Sequence, residues 1–126
     1  MFFKKKDINE VVLMHYEGLT GFKQDFPCKV FVDAANIIFI NDTTEIRLAF
    51  NQINNIDYLP EINFMDKYHN NPVNTSKTTA IKWFSVISYT NSSGEEKYIA
   101  FWSVDGKGRK FFEKVEQNIP HKEIVL

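Results

Sequence analysis

A mainly β domain closed by one C-terminal helix is the fold class this sequence predicts, and three observations predict it. Short apolar segments follow one another up to about residue 104, divided by Gly, Pro, Asn and Asp. Several of them alternate apolar and polar residues with the period of two that a half-buried strand requires. Only after Asp105 does a helical period appear. At 126 residues the chain is the size of one domain, and its 44% hydrophobic content, with twelve Phe, is enough to offset chain entropy and exclude a disordered chain.

Met1 to Glu10 is read as a flexible N-terminal tail, residues 11–119 as the domain and residues 120–126 as a C-terminal tail. Val11 to Tyr16 is the first strand, followed by Gly18 and Gly21, which permit turn conformations that other residues resist. Cys28, Val30 and Val32 alternate with Lys29, Phe31 and Asp33 in a second strand. Ile37 to Ile40 is a third, buried on both faces, and Asn41-Asp42-Thr43-Thr44 a hairpin turn. Ile46, Leu48 and Phe50 are the inward positions of a fourth. Ile53 to Phe64 is read as a fifth, bent strand because Pro60 argues for an edge position, and Met65 to Thr79 as a long Asn-rich loop. Ala80 to Thr90 and Lys97 to Val104 form the last hairpin, with Gly94 at a positive-φ position. Asp105 is placed as N-cap of a helix whose Phe111, Phe112, Val115 and Ile119 share one side and which Pro120 ends.

This order of elements resembles the bacterial pleckstrin-homology-like (PH-like, GRAM-like) domain. The resemblance is carried by His15-Tyr16-Glu17-Gly18-Leu19, by Cys28 to Val32 with Ile37 to Ile40, by Ile46 to Ile53, and by Gly94 to Phe101 before the helix. It implies a barrel of seven antiparallel strands in two sheets with one C-terminal α-helix, and a non-enzymatic role in binding or assembly. Two departures limit the carry-over. The helix holds Phe111 and Phe112 where signalling PH domains have a tryptophan, and Trp102 lies in the preceding strand. The loops that bind phosphoinositides in such domains correspond here to residues 18–27, 41–45 and 91–96. They contain Lys23 against Asp25, Asp42, Glu45, Glu95 and Glu96, one positive charge against five negative, a net of minus four that disfavours a polyanionic head group.

The whole chain carries a net charge of minus one, so nucleic acid is not an expected partner. No apolar run approaches the roughly 20 residues of a membrane span, and a single cysteine, Cys28, fits a cytoplasmic protein. No cofactor or metal is implied. His15 and Glu17, two apart on a strand, are a candidate proton-transfer pair, and Glu61, Asp66 and His69 a candidate metal cluster, yet neither comes with a nucleophile motif or enforced ligand geometry. Cys28 is expected to be a buried, inert thiol.

Three surfaces remain as candidate sites. Phe84, Tyr98 and Trp102 fall on the second face of the last hairpin, opposite Ile87, Ile99 and Phe101. That face is either a site of self-association or protein binding, or is covered by the chain itself, with Ile124 to Leu126 as one available cover. Lys107, Arg109 and Lys110 at the helix start offer an anion contact or simply a solvated turn. Phe2, Phe3, Lys4, Lys5 and Lys6, with Phe22 and Phe26, offer a weak membrane contact. An interior cavity for a small apolar ligand is the least expected reading, because Phe, Ile and Trp fill the space.

Overall fold

The computed structural model describes residues 10–71 and 81–119. The strands are β1 (Glu10–Glu17), β2 (Phe26–Val32), β3 (Asn36–Ile40), β4 (Glu45–Ala49), β5 (Ile53–Pro60), β6 (Trp83–Thr90) and β7 (Glu96–Ser103). Two helices join them, α1 (Glu61–His69) and α2 (Lys107–Glu116). All seven strands lie in one antiparallel sheet of order β4-β3-β2-β1-β7-β6-β5. The mainly β, seven-stranded antiparallel expectation holds, but the strands form one sheet that is not closed into the expected barrel, and a division into two sheets is not seen. The β1–β7 pairing, with Met14 opposite Trp102 and His15 opposite Phe101, makes the ladder continuous, while β4 and β5 are its edges.

The inner face carries Leu13, Val30, Ile37, Phe39, Leu48, Ile56, Ile87, Ile99 and Phe101, all buried. Against it lies α2, whose Phe111, Phe112 and Val115 occupy one stripe. That stripe is the predicted one, and its burial holds in place a helix too short to persist alone. Gly108 is where the helix comes closest, since a Cβ there would stand 3.3 Å from Leu13 Cδ2.

The second helix is a correction. Residues 61–69, read as the end of a bent strand and the start of a loop, form α1, preceded by Pro60. At its end Asn70 adopts φ 50°, and its N–H bonds the Asp66 carbonyl at 3.1 Å while that of Asn71 bonds Met65 at 3.0 Å, the closing pattern of a left-handed cap. Phe50, read as a strand residue, belongs to a short 3-10 turn, Phe50–Gln52, before β5. Proline 120 and the two tails lie outside the described residues.

Candidate functional site

The outer face of the last hairpin is covered by α1. Phe64 is fully buried and stacks on Phe84 with centroids 4.1 Å apart and planes within 7°. Leu59, Met65, Val86 and Ala100 complete this second core, flanked by Tyr16, Tyr68, Tyr98 and Trp102. Polar bonds fasten the far end of the helix. Tyr98 donates its hydroxyl to Glu17 Oε2 at 2.6 Å, and His69 Nε2 meets the same oxygen at 2.7 Å. Lys67 Nζ and the Tyr68 hydroxyl both donate to Asp57 Oδ2, at 2.7 and 3.2 Å. Burial, then the bond to Glu17, pushes the Tyr98 hydroxyl well above its ordinary pKa.

The three residues expected to form one exposed aromatic patch therefore part company. Phe84 is core, and Tyr98 is half-buried in the Glu17 network. Trp102 stands at the boundary, its indole N–H donating to Asp25 Oδ1 at 2.8 Å and its ring 4.4 Å from the Lys82 ammonium.

Beyond the reach of α1 the sheet stays open, and the exposed apolar side chains gather there. Four of the six large ones among the described residues belong to this end: Val12 (46% exposed), Ile81 (54%), Trp83 (45%) and Val104 (57%). The register explains it. Met14 lies opposite Trp102, so continuing that pairing sets Val12 beside Val104 on the outer face, whereas Trp83 lies opposite Ser103 and so reaches the same end of the sheet from its inner face. Two clefts flank the corner where β7 turns into α2, sharing Ser103 and Asp105. The outer, about 260 Å³, is lined also by Val12, Met14, Pro27, Trp102, Val104 and Lys107. The inner, about 230 Å³, is lined also by Tyr58, Trp83, Phe84, Ser85, Gly106 and Arg109.

The start of α2 organises the corner. Gly106, not Asp105, holds the cap position, but the Asp105 carboxylate still accepts from the Lys107 N–H at 3.2 Å. Arg109 donates its Nε to Glu113 at 2.8 Å and places its guanidinium 5.4 Å from the Tyr58 ring centroid. Tyr58 in turn donates its hydroxyl to Glu116 at 3.0 Å, tying β5 to α2. The three cations singled out in the sequence do not converge: Lys107 borders the outer cleft, Arg109 the inner, and Lys110 is exposed on the helix and lines neither.

At the opposite end, the cleft between the β1–β2 loop and the β3–β4 turn holds Lys23 and Asp42 as its charged lining, with His15, Phe22 and Phe26. Phe22 is buried, so only Phe26 of that expected membrane pair is exposed. Phe2, Phe3 and Lys4 to Lys6 lie outside the described residues.

His15 and Glu17 are not a pair. The β1–β7 register shifts between them, turning His15 inward against Phe101 and Glu17 outward to His69. The His15 Nε2 accepts from the Leu19 N–H at 3.2 Å, so the proton sits on Nδ1, which donates to the Lys23 carbonyl at 3.1 Å. Burial holds its pKa below the ordinary 6.5. As pH falls below about 6.5 the unfolded chain takes up a proton that the folded one resists, so stability present above that pH is lost. We expect the urea midpoint to fall between about pH 7.5 and pH 5.5, and the fall to shrink in His15→Asn. An equal fall in the variant would assign the effect to other groups.

Cys28 is buried, with its thiol pushed up to about 12 by desolvation. Glu61 and Asp66 share α1 with His69, whose ring is engaged by Glu17, and no group of three metal-ligating side chains occurs among the described residues. No helix among them is long and apolar enough to cross a membrane. Neither a protein-family model nor a curated protein sequence matches the chain.

Proposed function

We propose that the chain is a non-enzymatic PH-like module that assembles with a second copy of itself through the corner formed by Val12, Ile81, Trp83, Trp102 and Val104. The observation that carries this reading is the gathering of exposed apolar side chains at one end of a sheet whose other apolar surfaces are covered by α1 and α2. The strand order and the α2 stripe over the inner face support the PH-like part. Exposed Trp and aliphatic groups of this kind bury well against a complementary chain.

A second copy is the fitting partner because the corner is electrically self-complementary. A two-fold contact sets each patch against itself, so a patch of one sign repels its twin. Here Lys107 and Asp105 stand two residues apart on the same corner, and Lys82 adjoins Trp102, so opposite charges can face each other across the axis. The buried titratable groups support a non-catalytic role. His15 spends both ring nitrogens on backbone groups, and Cys28 is held as a thiol.

Sedimentation velocity over a hundredfold range of concentration tests the proposal. The wild-type chain is expected to pass from dimer to monomer on dilution. Val104→Lys is expected to stay monomeric throughout with an unchanged urea midpoint, because the side chain it replaces is largely exposed. A wild-type chain that is monomeric at every concentration overturns the reading.

A further inference from the structure

We infer that the β1–β2 loop is an acid-released latch, in which protonation of His15 frees residues 19–24 while the sheet beneath them stays paired. Both ends of the loop are anchored without the imidazole ring. The first is fixed at Gly18, whose backbone lies so close to β7 that a Cβ there would stand 2.5 Å from the Tyr98 carbonyl oxygen. The last is fixed at Asp25, whose N–H donates to the His15 carbonyl at 2.6 Å and whose carboxylate accepts from the Trp102 indole. Between these ends, three hydrogen bonds among the described residues join the loop to the rest of the protein. One runs from the Asn41 amide to the Gly21 carbonyl at 2.9 Å, and the His15 ring makes the other two, accepting from the Leu19 N–H and donating to the Lys23 carbonyl. A single titratable ring therefore supplies most of the polar attachment of this segment.

The ring can hold both groups only while it is neutral. Imidazole offers one donor and one acceptor, whereas imidazolium offers two donors. On protonation Nε2–H faces the Leu19 N–H, donor against donor, and a charge appears on a side chain that is 2% exposed. Such a charge is costly until it reaches water. The sheet gives it no route, since His15 is paired with Phe26 on one side and Phe101 on the other. The loop does, because His15 lines a cleft of about 410 Å³ together with Gly21, Phe22 and Lys23. Swinging the segment outward hydrates the ring and uncovers Leu19 and Phe22, both buried in the closed loop, the latter with its ring centroid 5.7 Å from the imidazole. The charged groups around the ring are Glu17 on its own strand, Lys23 and Asp25 in the loop and Asp42 on the facing turn, while β2 and β7 set the uncharged Phe26 and Phe101 against it. Burial outweighs the pull of Glu17 and keeps the pKa of the closed-loop ring below 6.5. Opening returns the ring to its ordinary range, so the open form gains as pH falls, by about tenfold between about pH 7.5 and pH 5.5.

Amide hydrogen exchange of the isotope-labelled full chain, corrected for intrinsic rates, tests the latch. The Leu19 and Phe22 amides are expected to lose about tenfold in protection from about pH 7.5 to pH 5.5, and to exchange at rates that low urea leaves unchanged, the mark of a local opening. The Val30 and Phe101 amides, inside the sheet, are expected to exchange only through urea-sensitive unfolding. The pattern should be the same in the wild type and in Val104→Lys, which removes any contribution from association. His69 shares Glu17 on the opposite face, so His15→Asn and His15→Gln, which cannot titrate, assign the effect. The pH-dependent loss is expected to vanish in both, and a loop left unprotected at either pH over a protected sheet would show the same reliance on the ring. Three results overturn the inference: Leu19 and Phe22 amides that exchange with the urea dependence of Val30 and Phe101, protection at these two that does not change with pH, or an equal pH-dependent loss in the His15 variants.

Discussion

Phe64→Ala is expected to destabilise the fold by about 3–5 kcal/mol, the range for deleting a fully buried phenylalanine. The side chain is 0% exposed and meets aromatic rings on every side described: Phe84 stacked at 4.1 Å, Tyr68 stacked at 5.3 Å and Tyr16 edge-on at 5.6 Å. Its loss leaves a cavity between α1 and the sheet that these rings, anchored in strands and helix, cannot collapse to fill. It also uncovers Phe84, Val86 and Ala100, the row that α1 keeps from water. A fall in urea midpoint with increased aggregation is the expected readout, and Phe64→Leu, which retains most of the volume, should lose roughly 1–2 kcal/mol. A variant as stable as the wild type would mean that α1 does not rest on the sheet.

That helix is also the largest feature the sequence left unread. Alternation made the strands legible, because Cys28, Val30 and Val32, or Ile99 and Phe101 against Tyr98, Ala100 and Trp102, can be sorted by parity alone. The stripe of Phe111, Phe112 and Val115 was equally plain. Residues 61–69 were not, because Ile53, Ile56, Tyr58 and Leu59 immediately upstream fit either period and Pro60 fits either a bent strand or a helix start. The cues that separate the two lie at the ends: Glu61 in the first turn, Lys67 and His69 in the last, and Asn70 just beyond, able to take the left-handed conformation. Reading them would have placed Phe64, Met65 and Tyr68 on one side and supplied the cover that the two-faced hairpin demanded.

The candidate sites were legible only in part, for a related reason. Trp102 borders the open face as its parity suggests, but which half of that face stays open depends on where α1 ends. The inner cleft draws Tyr58 from β5, Ser85 from β6, Ser103 from β7 and Arg109 from α2, residues that no local spacing connects. His15 and Glu17 show a different failure. Two residues apart predicts one shared face, but a register shift between them sends the side chains to opposite faces.

That shift lies beside the most crowded backbone approach found at any glycine, and Gly18→Ala is expected to cost about 3 kcal/mol or more, joining a left-handed backbone penalty of about 1–2 kcal/mol to an overpacking cost of about 1–3 kcal/mol. Gly18 has φ +111°, and a Cβ on it would fall 2.5 Å from the Tyr98 carbonyl oxygen and 2.7 Å from Ile99 Cα. Both obstacles are backbone, so no side-chain rotation relieves them. Either β7 moves away from β1, breaking the ladder that makes the sheet continuous, or the turn refolds and withdraws the Leu19 N–H from His15. Gly94→Ala separates the two contributions. Its φ is +86°, but nothing lies within 4 Å of the added carbon, so it should lose only about 1 kcal/mol. Urea denaturation of the pair, with the His15 ring signals followed by NMR, reads the difference directly. Equal losses in the two variants would show that β7 can yield at Tyr98 and that conformation alone, rather than the closeness of the strands, keeps glycine at position 18.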